Sequence, residues 1–524
     1  MQPLPLSSEG QLLSKNLHSA AAVPSHKSDE TVHVAGVGAG LYAAYEKLRN
    51  ATEYIEQHLL LRSAIERFLR RNILFRGSSR KLGHEIIVEL TEAGYLKNDS
   101  ISVETVVLID GFIVQYVNLA KTIEHNHKVP HDKAKTWTLQ VLSVCIENLV
   151  APHRAVDGFI DFAYQHYLNA IDRHPYGNLT DEEFENSVYC AVQRVLFKSD
   201  IATVRYGMMA RLSEKDKTTV NFVAICAKTD ELFQGSDTNR LVRLVGRNGA
   251  PFRVLQEAVI PSEAKTGTHA ANSLATRDSF LAKVRGTTEK LYDQTHSRLV
   301  KGVIRAITFI FITKMAIGLA IEVPYDILMI GGIAILPLVV NLMFPPLYMA
   351  TAIWGISKPG KHNTEEILSR IDRIVYQTDK PSLRYSQKQR VDSRGLRTVF
   401  NVVYGLAFII SFGLAVLVLR ELEFTIVHGL VFFVFFSAVS FLRFRLIQSA
   451  RELEVVDHRQ SLASTIADFF YTPFIRLGMW LSDQYKQVNI ISVLLDFAIE
   501  MPLKTTLRLI RQWAGFMRDK REEL

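Results

Sequence analysis

The sequence predicts an all-α, multi-pass membrane protein with a large cytoplasmic helical domain and two transmembrane helical hairpins. Two apolar runs support this prediction, because neither Ile327 to Trp354 nor Val399 to Leu419 contains a charged residue. A transmembrane helix needs about 20 mainly apolar residues to cross roughly 30 Å of hydrocarbon. Core helices of soluble proteins rarely stay uncharged over such lengths, so a buried core helix is the weaker alternative.

Two further apolar runs complete the predicted hairpins. Phe424 to Leu442 is short and strongly apolar, whereas Val303 to Val323 is interrupted by Arg305 and Lys314. We therefore predict hairpin 1 over residues 301–354, with spans at about 303–323 and 327–354. We predict hairpin 2 over residues 398–442, with spans at about 399–419 and 424–442.

The charges around these spans predict their orientation. The links at 322–326 and 420–423 are short and mostly acidic, whereas the segment 355–397 is basic. Basic residues also precede the first span and follow the last one. Because basic residues near span ends mark the cytoplasmic side, both termini and the 355–397 loop are predicted to be cytoplasmic. The predicted location is the plasma or cytoplasmic membrane.

The residues before the first span divide into a tail and a domain. Residues 1–38 mix Pro, Ser, His, Lys and Glu without periodicity and are predicted to be disordered. No early apolar core follows a basic leader, so we expect no cleaved signal peptide. Residues 39–300 form the predicted cytoplasmic helical domain. Its predicted helices cover about 41–74, 84–94, 103–124, 132–150, 154–172, 181–197, 199–213 and 271–302.

Some parts of the pattern leave alternatives open. Between 218 and 260 short helices and strands fit equally well. Thr180 to Glu183 matches a capping box and predicts the start of a helix. The tail, residues 443–524, alternates Phe and Trp with Lys and Arg, which predicts amphipathic helices. Such helices either lie in the headgroup zone or pack against the helical domain.

Overall composition limits the partners. The net charge of +8 fits a basic face against anionic lipid headgroups. Nucleic acid is not predicted as a partner, because 61 basic residues are offset by 53 acidic ones and no compact basic motif contains aromatic residues. The three cysteines form no CxxC pair, so we expect free thiols rather than a zinc site or disulfides.

Lys314 is the main candidate functional residue, because it lies near the middle of the first predicted span. Ionisable groups at that depth are functional candidates by default. Pro337 cannot donate to the carbonyl of Ile333, and Asn341 adds a polar side chain to the second span. Together these residues predict a small polar cavity between the first two spans. The alternative is a structural Lys314 that snorkels or contacts carbonyl groups.

His125, His127 and His131 form the only histidine cluster and are weak candidates for a metal site. Asn126, Lys128 and Pro130 around them favour a solvated loop instead. No catalytic residue is predicted, because no Walker A loop, HExxH, GxSxG or kinase motif is present. No cofactor is predicted either.

These observations favour a membrane-anchored interaction or scaffold protein whose cytoplasmic domain binds a protein partner. The alternative is a small-solute or ion transporter or channel that uses the polar cavity between the first two spans. Four spans enclose only a small pore unless the protein oligomerises, so a homo-oligomer is a possible partner arrangement for a transporter of this kind. A membrane-bound enzyme is the third class of function left open.

Overall fold

The computed structural model describes residues 6–22, 30–34, 39–52, 56–75, 81–127, 129–212, 219–261, 274, 276–377, 384–385, 394–455 and 462–487, with single positions at 506, 509, 513, 516, 517 and 520. Within this part of the chain every regular element is helical. Extended pairing is limited there to two isolated bridges, Thr31 with Ser102 and Ile171 with Tyr385. The prediction of an all-α fold is confirmed for these residues.

The first half of the chain forms a helical domain. Its helices are α1 (Ser8–Ala22), α2 (Ala39–Thr52), α3 (Leu60–Leu69), α4 (Leu82–Glu92), α5 (Val103–His127), α6 (His131–Val150), α7 (Arg154–Ala170), α8 (Asp181–Leu196), α9 (Ile201–Leu212), α10 (Thr219–Gln234), α11 (Ser236–Asn248) and α12 (Ala250–Val259). The predicted capping box is confirmed, because Thr180 and Glu183 exchange both hydrogen bonds at the start of α8.

The second half of the chain contains the apolar helices. They are α13 (Arg277–Ile317), α14 (Val323–Met329), α15 (Ile335–Ala350), α16 (Ala352–Gly355), α17 (Lys361–Val375), α18 (Arg394–Glu421), α19 (Ile426–Ala450) and α20 (Leu462–Gln487). A π-helical turn, Gly318–Glu322, joins α13 to α14 without a break. We call the second half of α13 together with α14, α15, α16, α18, α19 and α20 the apolar block.

Two large hydrophobic cores hold the helical domain together. One core joins α3, α4, α5 and α6 around Ile65, Ile86 and Ile109. The other joins α1, α7, α8, α11, α12, α17 and the first half of α13, and its fully buried residues include Phe162 and Phe252. A smaller cluster around Trp137 links α6 to α10. The predicted long helix over 41–74 is corrected, because Glu56 is extended (φ −62°, ψ 141°) and separates α2 from α3.

The segment 218–260 and the N-terminal tail are both helical where the structure describes them. The first contains α10, α11 and α12, which resolves the choice between helices and strands. The prediction that residues 1–38 are disordered is corrected for α1, whose Leu13 and Leu17 are buried in the larger core. Leu13 and Leu17 lie one turn apart, so they share a face of the helix. The prediction of disorder was based on composition, which does not reveal so short an amphipathic pattern.

Gly10 sets how closely α1 approaches α17. A Cβ atom at Gly10 would lie 2.2 Å from the carbonyl oxygen of Val375, and the Ser7 amide donates to that same oxygen over 2.9 Å. Gly10→Val is expected to cost about 1–3 kcal/mol of stability because it forces α1 away from α17. Faster hydrogen exchange over residues 8–22 would report this. Gly286→Val is the matched control, because a Cβ there meets no atom within 4 Å; equal exchange in both variants would contradict the close approach.

Among the described residues, five helices are long and apolar enough to span a membrane: Val103–His125, Arg277–Met329, Ile335–Gly355, Asn401–Glu421 and Ile426–Leu453. The last four overlap the four predicted spans. The first belongs to α5, and Ile109 and Ile113 on one of its faces are fully buried in the domain core. Length and composition alone therefore do not show that this helix crosses a membrane, because α5 is part of the helical domain.

The first turn between apolar helices lies later in the chain than the sequence predicted. Residues 322–326 are helical, and the turn occupies 330–334, where Gly331 has a positive φ of +79°. Pro324 can stay helical because the π turn just before it widens the backbone where the proline ring would otherwise clash with the preceding turn. The prediction that 322–326 links two spans is thus corrected, and two acidic residues move into the helix interior.

Two other segments take positions relevant to function. Helix α17 lies between the apolar helices α16 and α18 in the chain, and its Ile367 and Ile371 are fully buried in the larger domain core. Helix α20 packs against α18 and α19 of the apolar block. Phe474 of α20 places its ring centroid 4.6 Å from that of Phe412 and 4.7 Å from that of Phe436. The remaining tail, apart from the single positions given above, lies outside the described residues.

Candidate functional site

The apolar block buries Lys314 and Glu322 in its interior, while many of its large apolar side chains lie outside. Leu328 is 82% exposed and Ile409 is 70% exposed, yet Lys314 and Glu322 are each only 1% exposed. A water-soluble helix bundle has the opposite arrangement, because burial of charge is costly and burial of apolar surface is favourable. This arrangement singles out the interior of the block as the candidate site.

Lys314 and Glu322 form an ion pair in this interior. The Nζ atom of Lys314 lies 2.9 Å from Oε1 of Glu322. The two residues are eight positions apart, about 12 Å along a helix, so both side chains extend toward each other across the π turn. The ammonium group also lies 4.7 Å from the ring centroid of Phe435, at cation–π distance. Lys314 therefore contacts a carboxylate rather than reaching toward an aqueous surface.

Asn341 connects this pair to the fourth predicted span. Its Nδ2 donates to Oε1 of Glu322 and to the carbonyl oxygen of His428, each over 3.1 Å. The side chain of Asn341 is completely buried. Pro345 and Pro346 follow on the same helix, and neither can donate the usual helical hydrogen bond to the preceding turn. The amide thus joins α15, the π turn and α19 at one point.

His428 and Asp326 form the second contact between ionisable side chains. Nε2 of His428 lies 3.4 Å from Oδ1 of Asp326, and both side chains are fully buried. On the other ring edge, Nδ1 lies 2.8 Å from the hydroxyl oxygen of Thr425. If that hydroxyl donates to Nδ1, the ring proton resides on Nε2 and faces Asp326. Oδ2 of Asp326 accepts from the Ala334 amide over 3.0 Å, which ties the carboxylate to the turn at 330–334.

We call Lys314, Glu322, Asp326, Asn341 and His428 the buried polar network. Four of its atoms have no hydrogen-bond partner among the described residues: Glu322 Oε2, Asp326 Oδ1, Asn341 Oδ1 and His428 Nε2. An unsatisfied buried polar group costs about 1–3 kcal/mol, so such groups are rarely left without a partner. These four atoms can therefore form further hydrogen bonds with water, and the carboxylate oxygens among them can bind a proton.

An aromatic layer lies next to the network on the side of the helical domain. Phe344 and Tyr348 follow Asn341 along α15, and Phe432 and Phe436 follow His428 along α19. The ring centroid of Phe344 lies 5.3 Å from that of Phe432 and 5.6 Å from that of Phe436. These rings pack together on the domain side of Asn341 and His428, and Lys314 lies beside Phe435, which belongs to the same stretch of α19.

The structure brings together two of the three predicted intramembrane candidates. Lys314 and Asn341 both contact Glu322. Pro337 is buried in the first turn of α15, where no helical hydrogen bond is lost. Glu322 supplies Lys314 with an acidic partner that the sequence analysis did not identify. His428 was also missed, because it was counted within an apolar run.

The predicted histidine cluster lies at the ends of α5 and α6. His131 contacts the Glu124 carboxylate, and both His125 and His131 are exposed. The side chain of His127 lies outside the described residues. In the parts of the chain covered by the structure, no group of three or more His, Cys, Asp or Glu side chains is placed to hold a metal ion. The cysteines there are free, with Cys190 and Cys226 buried and Cys145 partly buried.

The buried polar network can exchange protons at three positions. Glu322, Asp326 and His428 each have a side chain that binds and releases a proton, and Lys314 balances the charge of one carboxylate. Comparison with family models, with curated proteins and with solved structures finds no match for this chain.

Proposed function

We propose that this chain is an integral membrane protein that moves protons across the bilayer through the buried polar network. The observation that carries the proposal is the burial of Lys314, Glu322, Asp326 and His428 inside helices with apolar outer faces. Ionisable residues within membrane helices are rare, and they mark ion pathways and proton relays. This proposal develops the transporter alternative of the sequence analysis.

The length of the network supports this reading. Lys314 and Asp326 are twelve residues apart, which corresponds to about 18 Å along a helix. That distance is more than half of the roughly 30 Å hydrocarbon thickness. In the proposed orientation the network runs from the middle of the bilayer to the turn at 330–334, away from the helical domain.

The position of α17 supports the proposed topology. Because α17 packs in the core of the helical domain, this helix lies on the same side of the apolar block as that domain. The turns at 330–334 and 422–425 lie at the opposite ends of their helices. Basic residues flank the domain side, so the positive-inside rule favours the cytoplasm for the domain.

The proposed path has a proton-exchanging half and a closed half. A proton entering from the turn side would pass between Asp326 and His428 and then reach Glu322, with water satisfying the unpartnered atoms. In this proposal the packed rings of Phe344, Phe432 and Phe436 close the path on the domain side. Translocation therefore requires those rings to move, and the described arrangement corresponds to a closed state.

Proton flux into proteoliposomes tests this function. Vesicles containing a pH-sensitive dye and a potassium diffusion potential are expected to acidify faster with the protein than without it. Glu322→Gln and Asp326→Asn are each expected to lower the protein-dependent rate at least ten-fold, because they remove a proton-binding carboxylate.

Glu421→Gln is the matched control, because Glu421 is an exposed carboxylate at the same end of the block and outside the network. Its flux should equal that of the unmodified protein. Unchanged flux in both network variants, or no flux with folded protein, would contradict the proposal. Flux of sodium or potassium ions without protons would contradict the assignment to protons.

A membrane-anchored interaction protein is the second candidate function. Helix α5 favours it, because Val107 and Leu108 are 65% and 54% exposed on a face turned away from the domain core. Leu108→Asp should then dissociate a stoichiometric complex isolated from the native membrane without changing proton flux. A complex that persists in this variant would remove the support that α5 gives.

A further inference from the structure

A large cleft opens in the helical domain, remote from the buried polar network. Its volume is about 1040 Å³, and α1, α6, α7, α8, α9 and α12 contribute to its walls. Small-molecule sites in proteins usually have volumes of about 300–1,000 Å³ and combine apolar walls with a few polar groups. Ile160, Leu196, Phe197 and Tyr206 supply such apolar surface here.

Three of the carboxylates that line this cleft have no hydrogen-bond or ion-pair partner among the described residues. Glu147 of α6, Asp157 of α7 and Asp161 of α7 make no side-chain hydrogen bond or ion pair with any residue that the structure describes. Glu147 is the most informative of them, because the residue lines the cleft and yet is only 7% exposed. A buried carboxylate without a partner is costly, so its place at a cavity wall indicates a ligand that binds it.

The cations near the cleft are already engaged. Nζ of Lys198 lies 3.5 Å from Glu56 and 3.4 Å from Glu452. The guanidinium of Arg211 lies 4.0 Å from the ring centroid of Tyr164. Arg62, the cation nearest to Glu147, forms ion pairs with Glu66 and Asp200. Arg211 keeps its charge and interacts electrostatically with Asp161, but three carboxylates outnumber it, so the net charge left available to a ligand is negative.

We propose that this cleft binds an amphiphilic organic amine, with the protonated amine at Glu147, Asp157 and Asp161 and the apolar part against the opposite wall. The size of the cleft and its apolar wall favour an organic cation over a metal ion. Among the described residues no group of ligands is placed to hold a metal. Tyr189 and Tyr206 also line the cleft, and tyrosine rings attract ammonium groups.

The carboxylates make the binding depend on pH. Burial raises the pKa of Glu147 to about 7, with Arg62 opposing and Asp200 and Asp157 adding to the shift. Burial and the neighbouring Asp161 raise the pKa of Asp157 to about 6. Burial lowers the pKa values of His58 and His153, so these rings stay neutral at pH 7. Burial also raises the pKa of Asp161, with Arg211 opposing the shift. As pH falls through 7 and then 6, Glu147 and then Asp157 are neutralised, so affinity for a cation should fall.

Calorimetric titration of the full-length protein in detergent tests this inference. Tryptamine, phenethylamine and spermidine serve as cationic probes, and indole-3-acetate has the ring of tryptamine but the opposite charge. At pH 8 we expect at least one of the two aromatic amines to bind with a Kd below about 1 mM and at least ten-fold tighter than indole-3-acetate. Near pH 7 the binding should release protons, which titrations in buffers of different ionisation enthalpy measure.

Glu147→Gln and the double variant Asp157→Asn with Asp161→Asn are each expected to weaken amine binding at least ten-fold. Glu104→Gln, an exposed carboxylate on α5, is the matched control and should bind as the unmodified protein does. Failure of all three amines to bind, equal binding of indole-3-acetate, or unchanged binding in both variants would overturn the inference. Tighter binding of spermidine than of either aromatic amine would overturn the claim that the apolar wall of the cleft binds the apolar part of the amine. None of these outcomes depends on proton flux.

Discussion

Replacing Lys314 by Met is expected to lower the free energy of unfolding by about 3–5 kcal/mol. The reason is that the Glu322 carboxyl group, only 1% exposed, would lose the ammonium group 2.9 Å away and be left without an oppositely charged partner. Unfolding in detergent, followed by circular dichroism against temperature or denaturant, measures the loss. Lys301→Met is the matched control, because Lys301 is exposed on the same helix and should tolerate the change.

A double variant separates the structural part of this pair from its functional part. Replacing Lys314 and Glu322 together by Met removes both charges, and apolar replacement of a buried pair is often neutral or stabilising. We therefore expect the double variant to recover most of the lost stability while proton flux stays at background. A Lys314→Met protein as stable as the unmodified one would contradict the ion pair. A double variant with full flux would contradict its role in transport.

Gly478→Val is expected to cost about 3 kcal/mol, the upper end of the range for overpacking, because the obstruction is backbone. A Cβ atom at Gly478 would lie 2.0 Å from the carbonyl oxygen of Ser437, so α20 cannot keep its place against α19. The contacts of Phe474 with Phe412 and Phe436 would be lost with it. The same unfolding measurement in detergent reports the change.

Gly413→Val is the matched control for this prediction. Gly413 also lies in a helix of the apolar block, but a Cβ there meets no atom within 4 Å. Its valine variant should unfold at nearly the same temperature as the unmodified protein. Equal stability of the two variants would mean that α20 does not pack against α19 as described.

The sequence predicts the apolar helices because long uncharged runs leave few alternatives. Four of the five helices with suitable length and composition coincide with predicted spans. The turn between the first two was misplaced because Pro324 and two acids resemble a link. Gly331 and Gly332 were the signal for the true turn, since Gly331 adopts a positive φ that few other residues tolerate.

The same error concealed most of the site. Lys314 and Asn341 could be predicted, because a charge and an amide within apolar runs are conspicuous. Glu322 and Asp326 could not, because they were assigned to an aqueous link rather than to a helix. His428 was within the predicted fourth span, and a titratable residue there deserved the same treatment as Lys314.

The positions of α20 and α1 depend on tertiary contacts. The spacing of apolar residues in the sequence does not show which helices they pack against. For α20 the sequence left two options open, the headgroup zone and the helical domain, and the described helix packs against the apolar block instead. Its Gly478 marks a close helix crossing, which a sequence without a partner helix cannot reveal. For α1 the apolar stripe is one turn long and stabilises a helix only through the larger core.

Labelling of single cysteines in sealed membrane vesicles tests the central claim most directly. In a chain whose Cys145, Cys190 and Cys226 are replaced by alanine, Gly332→Cys reports the turn at 330–334 and Ser369→Cys reports α17, both at exposed positions. We predict that a membrane-impermeant maleimide labels these two cysteines from opposite faces of the membrane. Labelling of both from the same face would contradict a block that crosses the bilayer with its charges inside.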